Sequence, residues 1–138
     1  MEDIIKSMRL KNILLVVNDI ELSKRFYHEI FGLQVMTDFG NNVMLTEGLV
    51  LQEKESWENG TQRKTVLGGN SMELYFEHND VEAFVEKLED SLYEVSYMNP
   101  LAEDASGRKV VRFYDPDMHV IEVAESFEYV NRKQGGEA

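Results

Sequence analysis

The side chains best able to do chemistry in this chain are polar groups set into apolar, β-branched runs. Glu122 lies in Val120-Ile121-Glu122-Val123-Ala124, where the two-residue period of a strand puts it on one face with Val120 and Ala124. A carboxylate in that setting is costly unless it is paired or used, which marks Glu122 as a functional group. Gln52 shares its face with Val50, and Asn12 shares its face with Leu10 and Leu14. Each amide needs partners, which a hydrogen bond across the sheet, exposure at a strand end or a ligand would all supply. On the run Met72 to Glu77, Glu73 and Tyr75 have the same parity, so a carboxylate and a phenol point the same way. The three histidines are scattered, with His28 in a helical stretch, His78 before a helix and His119 in a turn, and they read as surface or packing residues. There is no cysteine, so disulfides, thiolate ligands and a cysteine nucleophile are all excluded.

The rest of the composition narrows the class. A length of 138 residues with 43% hydrophobic content suits one ordinary domain. With 14 Lys and Arg against 26 Asp and Glu, the net charge of -12 repels phosphate backbones and anionic lipids and favours solubility. Nucleic acid and membrane are therefore not expected partners. The N-terminus lacks a secretory pattern and no apolar run reaches spanning length, so a cytoplasmic location is the expectation.

The elements that must position these residues come in two similar sets. Residues 10–17 form an apolar strand; Asp19 then caps a helix whose stripe of Ile20, Phe26, Tyr27, Ile30 and Phe31 stops at Gly32. Strands follow at 33–38, 42–45 and 49–53, separated by Gly40-Asn41 and Glu47-Gly48. The order then recurs, with a strand at 72–77, a helix capped by Asp80 and running to Ser91, and strands at 93–98, 109–114 and 119–124. Asn18-Asp19-Ile20-Glu21 matches Asn79-Asp80-Val81-Glu82 at the same junction, a shift of 61 residues. The expected fold class is α+β, two βαβββ modules at 8–54 and 71–125. The glycine-bearing stretch 55–70 reads as a linker, and residues 1–7 and 126–138 as mobile ends.

Three stretches resemble the vicinal oxygen chelate superfamily of glyoxalase I, bleomycin-resistance proteins and extradiol dioxygenases. They are Leu14 to Ile20 with Ser23, Phe26 and Tyr27; Phe31-Gly32-Leu33; and Phe113-Tyr114-Asp115-Pro116-Asp117 leading to Ile121-Glu122-Val123. The resemblance covers residues 8–125 as a single domain. It departs after Asp-Pro-Asp, where the family usually has Gly and Asn and this chain has Met118 and His119. The resemblance implies two sheets curled into an open cup with helices outside, a metal and substrate inside where present, and a homodimer. Family ligands come from the first and last strands of each module, which the repeat maps onto Asn12, Gln52, Glu73 and Glu122.

A quartet without histidine does not suit the iron of an extradiol dioxygenase. Two carboxylates and two amide oxygens suit Mg²⁺, Mn²⁺ or Ca²⁺ rather than Zn²⁺ or Ni²⁺. Two readings follow. One is a metal-dependent, glyoxalase-I-like lyase or isomerase, with Glu122 as part-time ligand and as base next to a substrate carbonyl. The other is a metal-free protein that binds or sequesters a small molecule, in the manner of bleomycin-resistance proteins, with Tyr75 on the wall of the site.

Overall fold

The computed structural model describes residues 2–135. The chain divides between Thr65 and Val66 into two compact units, a boundary that falls inside the stretch read as a linker.

The first unit holds α1 (Glu2–Ser7), β1 (Ile13–Val17), α2 (Ile20–Phe31), β2 (Val35–Asp38), β3 (Asn42–Leu45), β4 (Leu49–Glu53) and α3 (Lys54–Thr61). Its sheet runs β1-β4-β3-β2, with β1 parallel to β4 and the other pairs antiparallel. Asp19 caps α2 by accepting from the Leu22 amide at 3.1 Å, and Gly32 ends it at φ 72°, a left-handed position that favours glycine. Leu15, Val17, Val43, Leu45 and Leu51 are buried, as are Phe26, Tyr27 and Ile30 of α2, the helix that packs on β3 and β4.

The second unit repeats the path with β5 (Glu73–Glu77), α4 (Val81–Glu89), β6 (Tyr97–Glu103), β7 (Lys109–Tyr114) and β8 (Val120–Ala124), and adds α5 (Phe127–Gly135). Its order is β5-β8-β7-β6, again with the outer β5 parallel to β8. Asp80 caps α4 through the Ala83 amide at 3.0 Å, the same bond that Asp19 makes 61 residues earlier. Phe84 of α4 meets Phe113 of β7 with ring centroids 6.0 Å apart, so the odd-numbered residues of β7 face this helix. Both units are therefore four-stranded mixed sheets with a helix on one face.

Several boundaries differ from the sequence reading for physical reasons. The sixth strand lies at 97–103 rather than 93–98. Pro100 and two register shifts obscure its period, and it is tolerated because β6 is an edge strand that need not donate on both sides. The expected linker is helical as far as Thr61, as α3, whose polar composition gives no apolar stripe. The ends expected to be mobile carry α1 and α5 where they are described, and Val130 of α5 is buried. Met1 and residues 136–138 lie outside the described residues. No helix among the described residues is long and apolar enough to cross a membrane.

Candidate functional site

The register of the second sheet places Tyr75 opposite Glu122 and Glu122 opposite Arg112. Residues paired in register point to the same side, so Glu73, Tyr75, Glu122 and Arg112 all lie on the face turned away from α4. On that face the Arg112 guanidinium lies between two carboxylates. Its Nε donates to Glu73 Oε1 at 3.0 Å, and its second terminal nitrogen, Nη2, approaches Glu122 Oε1 at 2.5 Å. The Glu73 and Arg112 side chains are each 37% exposed, whereas that of Glu122 is 5% exposed. The triad is thus a half-exposed ion pair over a buried carboxylate.

Its electrostatics follow from that arrangement. Burial, joined by the charge of Glu73, raises the Glu122 pKa above the ordinary Glu value, and Arg112 only partly offsets this. Burial works against the charge of Arg112, but its bonds to Glu73 and the charge of Glu122 outweigh it and hold the guanidinium firmly protonated. Beside the triad lies an open depression of about 420 Å³ lined by Asn70, Ser71, Met72, Glu73, Met98, Asn99, Arg112 and Val120. Its lining combines thioether and aliphatic side chains with the ion pair and amides. That mixture suits a small organic ligand.

Tyr75 shares the face of Glu73, as its parity requires, but its hydroxyl is already engaged. It donates to Glu77 Oε2 at 2.7 Å and accepts from Arg108 Nη1 at 2.9 Å. Arg108 also bonds Asp104 at 3.3 Å and stands 4.0 Å from the centre of the Phe127 ring, so it ties β5, the β6–β7 turn and α5 together. Tyr75 does not line the depression beside Arg112. Tyr97 and Phe113, two further aromatic residues, are register partners on the helix-facing side.

The two remaining expected donors lie in the first unit. Gln52 Oε1 accepts from Asn42 Nδ2 at 2.6 Å, and its Nε2 donates to Ser56 Oγ at 2.5 Å. Asn12 precedes β1 and donates from Nδ2 to the Gly48 carbonyl at 3.3 Å. Both amides are therefore held by hydrogen bonds within their own unit. A shift of 70 residues carries Asn42 to Arg112 and Gln52 to Glu122, so the neutral Asn42–Gln52 bond is the counterpart of the charged Arg112–Glu122 contact.

Arg112 is not among the residues that the sequence singled out. Its parity with Val110 and Tyr114 and its correspondence to Asn42 in the repeat were both readable. An arginine on a half-polar strand has no distinctive pattern, however, until its partners are known.

A divalent cation bridging Glu73 and Glu122 would first have to displace this guanidinium. Among the described residues, no group of three or more Asp, Glu or His side chains is placed to hold a metal ion. Glu73 and Glu122 both contact the same arginine. The histidines are held locally: His28 Nδ1 lies 3.0 Å from the Leu33 carbonyl, His78 Nδ1 accepts from the Asp80 amide at 2.9 Å, and His119 Nδ1 pairs with Asp115 at 2.8 Å.

Comparison with known proteins agrees with this architecture. Residues 10–128 match the family model of the glyoxalase-like domain. A protein of unknown function from Agrobacterium tumefaciens str. C58 is 39% identical, with 87% of this chain and 95% of that chain covered at a TM-score of 0.72. A glyoxalase-related enzyme from Fulvimarina pelagi shares the fold at 22% identity, with 86% and 88% covered and a TM-score of 0.73. A lactoylglutathione lyase from Agrobacterium tumefaciens does so at 20% identity, with 87% and 95% covered and a TM-score of 0.66. The sequence has no significant match among curated proteins. With the family model spanning most of the chain and the same βαβββ path in both units, this protein belongs to the glyoxalase-like domain family of the vicinal oxygen chelate superfamily.

Proposed function

We propose that this chain is a metal-independent, small-molecule-binding member of the glyoxalase-like family, with its ligand site on the open face of β5, β8 and β7. The observation that carries this reading is the Arg112 guanidinium between Glu73 and Glu122. A metal at a glyoxalase-type site supplies positive charge to substrate oxygens; here a protonated guanidinium supplies charge and directed N–H donors without a metal. The commitment of the Gln52 oxygen to Asn42 supports the same reading, because that oxygen would otherwise be a donor to a hard cation. In this reading Tyr75, the register partner of Glu122, is held by Arg108 and sits beside the site without lining the depression.

Glu122 has a second role if the ligand is transformed. It is nearly buried, holds its proton above the ordinary carboxyl range and touches Arg112, so it is the group placed to exchange a proton beside a polarised carbonyl. That is an isomerase or lyase step carried out with arginine in place of a metal.

The test is thermal melting with and without millimolar Mn²⁺ or Mg²⁺ in chelator-treated protein. A ligand that binds only the native state raises the melting temperature by mass action, so the expected shift is within about 1 °C. A rise of several degrees that Glu122→Gln removes would overturn the reading in favour of a metal held at that carboxylate.

A further inference from the structure

Resting on the metal-independent reading, we propose that the depression beside Arg112 takes an uncharged ligand whose edge offers a hydrogen-bond donor and an acceptor side by side, as a primary amide or lactam does, on a small apolar body. The exposed part of the triad is Glu73 and Arg112, one negative and one positive group 3.0 Å apart on neighbouring faces of the same depression. Arg112 uses Nε on Glu73 and Nη2 on Glu122, and its Nη1 has no hydrogen-bond partner among the described residues of its own unit. Glu73 lines the same depression, is 37% exposed, and as a carboxylate keeps acceptor lone pairs beyond its contacts with Arg112 and Glu122. An acceptor and a donor therefore stand together at the rim of one pocket.

Charge decides which ligand gains from that pair. A carboxylate would be drawn to Arg112 but would stand against Glu73 and the buried Glu122, and an ammonium would be drawn to Glu73 but would meet the guanidinium. Either ion also gives up its hydration to enter. A neutral amide edge can donate to Glu73 and accept from Arg112 while leaving the ion pair intact. Asn70 and Asn99 add amide groups of the same neutral chemistry, and Met72, Met98 and Val120 offer an apolar wall that an aliphatic tail can cover. Glu122, nearly buried beneath the pair, keeps Arg112 from swinging out to meet an anion.

Three probes of matched size separate the cases: butanamide, butanoate and butylammonium, each titrated at neutral pH into the full-length, ¹⁵N-labelled protein and followed by amide chemical shifts. The expected result is saturable shifts at Glu73, Met98, Arg112 and Val120 with butanamide, at least about tenfold tighter than with either ion. Arg112→Gln should lower the butanamide affinity, and preservation of the remaining spectrum would show that the fold is intact. Equal or tighter binding of an ion at these residues would overturn the proposal, as would the absence of shifts there with all three probes. Neither outcome bears on metal independence, which the melting experiment tests separately.

Discussion

Arg112 decides what the two carboxylates of the second unit can do. With the guanidinium in place, Glu122 has a raised pKa because burial and Glu73 outweigh the attraction of Arg112. A carboxyl with a folded pKa above its unfolded value contributes stability that is present in acid and is lost as pH rises through the folded pKa. Arg112→Met removes the attraction that limits this loss and leaves Glu122 buried without its counter-charge. Its cost should be about 3 kcal/mol near pH 8. Near pH 5, where Glu122 can keep a proton, the cost should be clearly smaller. Urea unfolding of the parent and the variant at both pH values measures the difference. A cost that does not change with pH would mean that Arg112 acts only by packing its methylenes over the sheet.

At the level of elements, the β7–β8 hairpin holds Arg112 and Glu122 in register, and its turn is tightly built. Asp115 Oδ1 accepts from the amides of Asp117 and His119, each at 2.9 Å, while Oδ2 meets His119 Nδ1 at 2.8 Å. Burial would lower the pKa of His119, but the hydrogen bond and charge of Asp115, with the charge of Asp117, raise it. The cost in this turn is Met118, a non-glycine residue at φ 68°, in the left-handed region that favours glycine. Met118→Gly removes the Cβ strain and in return makes the unfolded chain more flexible. The expected net gain is about 0.5 to 1 kcal/mol, read as a higher urea midpoint with an unchanged slope. A loss of stability would show that the half-exposed Met118 side chain contributes more by packing than it costs in strain.

For the whole molecule, each four-stranded sheet ends in two edge strands, which gives a homodimer its physical basis. The net charge of -12 opposes that association at long range. We therefore expect light scattering to give a mass near twice the 16.0 kDa of one chain at micromolar concentration, with the dimer favoured by added salt. A monomer mass at both low and high salt would remove the dimer from the description.

The sequence by itself determined the path of the chain. Asp19 and Asp80 cap their helices, Gly32 ends the first, and the strands 42–45, 49–53 and 109–114 sit where alternation and turn residues put them, because each of these signals acts over a few neighbouring residues. It also marked Glu122 as a polar group on an apolar face and gave the parity that sets Glu73 beside Tyr75. What α3 and α5 do was less legible, since their polar faces carry no stripe and only packing of residues such as Val130 reveals them. The partner of Glu122 was decided by tertiary structure alone. Glu73, Arg112 and Glu122 stand on three strands separated by up to 49 residues of chain, and only the pairing β5-β8-β7 brings a guanidinium between two carboxylates. Residue type and parity could say that Glu122 needs a counter-charge; they could not say whether a metal or an arginine would provide it.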